Sequence, residues 1–90
     1  MTMQDIFGIA AFRSRQQVMR FDGALNRAGI RSQVVSTPKD VAVGCGLSVR
    51  FELRDTQAVL DTYQRTRPGN LIGFYRVIRE DGRRPIVSAL

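Results

Sequence analysis

The apolar and polar positions of this chain fall into short, well-separated patterns. From Ile6 to Phe12 both alternating faces are apolar, with Phe7, Ile9 and Ala11 on one side and Ile6, Gly8, Ala10 and Phe12 on the other. A strand without a polar side belongs in the middle of a sheet. After Ser14 the period lengthens. Val18, Phe21, Leu25 and Ala28 recur at helical spacing, and Met19 and Ala24 widen the stripe. Ser14 and Gln17 form a capping-box pair at the start of this helix, and Gly29 supplies its left-handed end. Gly23, inside it, predicts a point of close packing, because glycine weakens a helix interior by up to about 1 kcal/mol relative to alanine.

The stretch "IRSQVVS" reads as a second strand, less apolar and so nearer an edge, ended by Thr37-Pro38. The third strand alternates cleanly. Leu47, Val49, Phe51 and Leu53 point one way and Ser48, Arg50, Glu52 and Arg54 the other, which predicts burial on one face only. Asp55 is placed to cap a second helix with Ala58, Val59, Leu60 and Tyr63 inward, stopped by Pro68-Gly69. "LIGFYRVI" is a fourth strand, with Ile72, Phe74 and Ile78 on one side and Leu71, Tyr75 and Val77 on the other.

This order, β-α-β-β-α-β, is that of an α+β, ferredoxin-like fold. Two helices cover one face of an antiparallel four-stranded sheet whose first and third strands are central. Strands one and four are apolar on both sides, so the second face is expected to meet a partner, most simply another copy of the chain. The alternative is that the C-terminal tail folds over it. Asp81-Gly82 is a hairpin signal, and "RRPIVSAL" beyond it allows a short fifth strand with Pro85 at an edge. Residues 1–79 are expected to form a single domain, and 80–90 an extension that serves as an edge strand or a partner-docking tail.

Composition narrows what such a domain does. Ninety residues with 43% hydrophobic and 24% charged side chains support one folded core and not a disordered chain. No apolar run approaches the roughly 20 residues that span a bilayer, and the leader "MTMQDIFGIAAF" has acidic rather than basic character, so a cytoplasmic protein is expected. There is one cysteine and no histidine. An internal disulfide, a Cys/His metal centre within one subunit, and nucleophilic catalysis with an imidazole base are thereby excluded, and no cofactor or enzymatic activity is expected.

The net charge is +6, and all but one of the 14 basic residues are arginines spread through every segment. A basic surface able to dock an acidic partner fits that spread better than a nucleic-acid groove, since strand three lacks the aromatic pair that stacks on bases.

The one cysteine lies in "STPKDVAVGCGLSVRF", where Gly44 and Gly46 flank Cys45. Neither neighbour has a side chain to shield the sulfur, and the connection from Thr37 to Gly46 is long for a hairpin, with room for a helical turn after Pro38. Lys39, Arg50 and the amides of the 44–46 turn are placed to lower the thiol pKa from the ~8.5 of free cysteine. Spacing alone is also compatible with a small buried thiol in a turn too tight for a larger residue. The residues "AGI", "STPKD", "GCGLSVRF" and "GFYRV" resemble the selenium/sulfur carrier-like family of small bacterial domains over residues 6–78.

That resemblance implies a role for each matching position. Cys45 is the carrier thiol, held as a persulfide or selenosulfide, with Gly44, Gly46, Pro38 and Lys39 supporting it. Partners would be a sulfur donor such as a cysteine desulfurase and an acceptor protein. Against this stands an assembly module that pairs through the second sheet face and in which Cys45 is only packed.

Overall fold

The computed structural model describes residues 4–41 and 46–90; Gly44 and Cys45 lie outside them. Five strands, β1 (Gln4–Phe12), β2 (Ser32–Ser36), β3 (Leu47–Phe51), β4 (Leu71–Glu80) and β5 (Ile86–Ala89), form one sheet in the order β2-β3-β1-β4-β5. All neighbouring strands run antiparallel. Helix α1 (Arg15–Arg27) follows β1 and helix α2 (Thr56–Thr66) follows β3. The fold is thus α+β. β1 is the central strand, β2 lies at one edge as its mixed sequence predicts, and the C-terminal residues add β5 at the other.

Each helix end has a local cause. Ser14 Oγ accepts the Gln17 amide at 3.4 Å, which forms one half of the expected capping box. The return bond is absent, for Gln17 Oε1 is buried without a partner. At the other end the Gly29 amide donates to Asn26 O and the Ile30 amide to Leu25 O, a Schellman pair that Gly29 closes with φ +80°. Helix α2 starts differently from expectation. Asp55 stands at the N-cap but makes no side-chain cap, and β3 stops at Phe51 because Leu53–Asp55 turn into a 3₁₀ segment. The inward face of α2 uses Val59, Thr62 and, as expected, Tyr63; Ala58 is exposed, and the Thr62 hydroxyl donates to Ala58 O instead of meeting water.

The sheet has two buried faces. Ala10, Phe12, Val49 and Phe51 meet Val18, Phe21 and Leu25 of α1 and Val59 of α2 in one cluster. Phe12, Phe21, Tyr63 and Phe74 continue it as a chain of tilted and edge-on ring contacts. Gly8 is required here. A Cβ on it would stand 2.4 Å from Phe51 Cε2, so the ring lies where any other side chain would be. The close approach expected at Gly23 occurs there more mildly than at Gly8. At Gly23 a Cβ would meet only the Arg27 guanidinium, at 3.2 Å.

The opposite face holds Phe7, Ile9, Ala11 and Val77, from 0 to 2% exposed, packed with Val41 from the β2–β3 connection and with Val35, Ile72, Tyr75 and Val87 around them. A bulge between Ala11 and Phe12 puts Phe12 opposite Leu71 and Ala11 opposite Gly73. It moves Leu71 to the helix side and Ile72 to the other, the reverse of what strict alternation predicts. Nor is β3 buried on one side only, since Ser48 is 0% exposed.

Candidate functional site

The connection between β2 and β3 is pinned at its mouth by main-chain register. Ser36 pairs with Leu47, and beyond that pair the Thr37 amide donates to Gly46 O at 2.9 Å. Beneath this closure the hydroxyls of Thr37 and Ser48 lie 2.6 Å apart. The buried Ser48 hydroxyl needs a partner, which half-buried Thr37 supplies, because an unpaired hydroxyl in an apolar setting is penalised. The loop that carries Cys45 therefore begins and ends on a rigid base. Gly46, with φ +84°, adopts a left-handed conformation that only glycine takes readily.

From this base the first half of the loop turns back over the sheet. The Val41 amide donates to Pro38 O at 3.1 Å, a single β-turn where sequence allowed a helical turn. Val41 then drops into the cluster with Phe7, Ile9, Ala11 and Val77 and is 8% exposed. Asp40 reaches Arg84, in the β4–β5 turn, at 3.4 Å. The described residues 38–41 thus cover part of the face that lacks helices, held there by Val41 and by the Asp40–Arg84 pair.

The predicted supporting residues separate into two groups. Pro38 opens the turn, and Lys39 beside it is exposed, with no ion-pair partner among the described residues. Arg50 is engaged elsewhere. Its Nη1 and Nη2 donate to the two oxygens of Asp5 at 3.0 Å each, and its guanidinium lies 3.9 Å from the centroid of Phe7. Arg79 approaches the same ring at 5.5 Å. Arg50 also lies four residue steps along the chain from Gly46, about 13 Å at the usual strand rise.

Sequence reasoning missed Asp5, Val41 and the Thr37–Ser48 pair. The positions of Ser48 and Arg50 on one side of β3 carried the signal for the last, but Asp5 read only as part of a leader. Among the described residues no group of three His, Cys, Asp or Glu is placed to hold a metal ion, and no helix is long and apolar enough to cross a membrane.

Cavities border the fold at helix α1 and at strand β2. One of about 350 Å³ lies at Arg31–Gln33 and Arg50–Glu52, on the β2–β3 side. Another, about 440 Å³, lies between α1 and the turn that follows α2. No curated protein and no solved structure matches the chain. A family model described as "Putative Se/S carrier protein-like" matches residues 7–69, a span that runs from the central strand through the whole β2–β3 connection to the end of α2. The chain belongs to this selenium/sulfur carrier-like family.

Proposed function

We propose that the protein is a non-enzymatic carrier that holds one sulfur or selenium atom on Cys45. The observation that carries this reading is the family match, because its span includes the only thiol of the chain. The Cys45 thiolate attacks the outer sulfur of a donor persulfide. A bond forms between Sγ and that sulfur, the donor S–S bond breaks, and the donor leaves as a thiolate. An acceptor thiolate then attacks the same outer atom and regenerates Cys45. Neither step changes the overall oxidation level, and neither needs a general base, only an accessible anion. A selenosulfide forms by the same exchange.

Several features support this reading. The Thr37–Gly46 closure and the Val41 anchor fix the described residues on either side of the segment that carries Cys45. Lys39, without an ion-pair partner among the described residues, is a cation available to stabilise the thiolate, while Arg50 holds the sheet face through Asp5. The donor is an enzyme that bears a persulfide, such as a cysteine desulfurase, and the arginine-rich surface docks it through acidic side chains. The β-α-β-β-α-β succession with strands ordered β2-β3-β1-β4 favours a ferredoxin-like reading of the fold, with β5 as an added outer strand. Iodoacetamide labelling of Cys45 as a function of pH tests the proposal. A midpoint below the ~8.5 of a free thiol is expected, and a thiol that stays inert across the range refutes it.

One observation favours a second reading, an assembly module with a merely packed cysteine. Ile6, Ile78 and Ile86 stand opposite one another across β1, β4 and β5, and Ile6 and Ile86 are 42 and 60% exposed. An apolar row of this kind suits a second copy of the chain, but on the helix side of the sheet and not on the second face, where the sequence placed the pairing. Phe7 and Ile9 are interior, so a charge placed there tests the fold; Ile86→Lys tests the contact. If this reading holds, the chain elutes as a dimer, Ile86→Lys as a monomer, and Cys45→Ser retains function.

A further inference from the structure

The cavity between α1 and the turn after α2 is an anion site on its chemistry. Arg20, Arg27 and Arg67 line it, and no acidic residue does. Among the described residues none of the three guanidiniums has a hydrogen-bond or ion-pair partner. The acid nearest in sequence, Asp22, is turned to other uses, with its oxygens accepting from Ser32 Oγ at 2.7 Å and from Asn26 Nδ2 at 3.3 Å. Three like charges around one hollow repel each other until an anion enters.

Two local rules are broken at this same place. A glycine occupies position 23, inside α1, where alanine would be better, and the space it leaves receives the Arg27 guanidinium. Arg67 occupies the left-handed end of α2, φ 43° and ψ 58°, where glycine would be better. Both departures bring guanidinium groups to one cavity. Departures from local preference that converge on one point mark function more often than chance.

We infer that this cavity binds a small phosphate ester, its phosphate held by Arg20, Arg27 and Arg67. Planar guanidiniums grip phosphate oxygens with paired hydrogen bonds, which fits this choice of anion. About 440 Å³ is enough for such a molecule. The site lies on the helix side of the sheet, across from Val41 and its loop, so it stands or falls independently of the thiol chemistry.

The test is a titration of the full-length, isotope-labelled chain followed by amide and arginine Nε resonances, with ribose 5-phosphate as probe. Ribose and sodium chloride at matched ionic strength serve as controls. Saturable shifts at Arg20, Gly23, Arg27 and Arg67 are expected with the phosphate ester and not with either control. Arg27→Gln should weaken binding by about tenfold, as loss of one charge-assisted contact does. Arg67→Gly relaxes the backbone and so is no folding defect; it should weaken binding by a similar factor. Equal shifts with sodium chloride, saturable shifts confined to another surface, or unchanged binding by Arg67→Gly would overturn the inference.

Discussion

Replacing Arg50 by alanine separates two roles that the sequence leaves open for it. Arg50 makes a two-point ion pair with Asp5, in which the side chains are 28 and 48% exposed. Solvent at that exposure holds such a pair to about 0.5–1 kcal/mol. The guanidinium also covers Phe7 at 3.9 Å, a stacking contact in the range of about 0.5–1 kcal/mol at a partly exposed site. With the lost packing of its aliphatic stem, the substitution should destabilise the fold by about 2 kcal/mol, a fall in Tm of roughly 8–16 °C for a domain of this size.

Thermal unfolding of Arg50→Ala, Asp5→Ala and the double variant measures the pair directly. A coupling energy of about 0.5–1 kcal/mol is expected. The rate of Cys45 alkylation at pH 7 should be unchanged in Arg50→Ala, since Asp5 already neutralises that charge, and should fall in Lys39→Gln. A stability loss below about 0.5 kcal/mol, within the range of a neutral surface change, would refute the structural role. A large fall in alkylation in Arg50→Ala with none in Lys39→Gln would refute the division between the two cations.

Further substitutions test the other parts of the fold. Gly8→Ala puts a methyl group into the Phe51 ring and should destabilise by about 1–3 kcal/mol, and Phe51→Leu in the same chain should recover part of that loss in chemical denaturation. Val41→Ala removes two methyl groups from the face cluster, a loss of about 2 kcal/mol by thermal unfolding, and should also increase hydrogen exchange in the loop base at Thr37. Ser48→Ala leaves the Thr37 hydroxyl without its partner and should lower stability by about 1–2 kcal/mol, while Ser48→Gly loses more. Arg67→Gly should raise Tm by several degrees, since it removes a left-handed arginine worth about 1 kcal/mol of strain.

The features legible from sequence are those with local causes. Ser14 and Gly29 announce both ends of α1 because caps and left-handed turns depend on a few adjacent residues. The apolar run 6–12 marks the central strand because from Phe7 onward both of its faces are covered. Misreadings cluster where a distant partner decides. The bulge that exchanges Leu71 and Ile72 is set by register against Phe12, and the burial of Ser48 by Thr37. Arg50 could be placed beside Phe7 only once β1 and β3 were paired, because Asp5 and Arg50 are far apart in sequence. Gly23 drew attention correctly as an anomaly, but what it makes room for, an arginine rather than a neighbouring helix, is visible only in three dimensions.

The central claim is that Cys45 accepts and returns a chalcogen atom. Its most direct measurement is intact and peptide-level mass after incubation with a cysteine desulfurase and cysteine, followed by addition of an acceptor thiol. The account predicts one added sulfur, located on the peptide that contains Cys45, absent in Cys45→Ser and lost to the acceptor. A chain that gains no sulfur from several persulfide donors while its thiol remains reduced would contradict it.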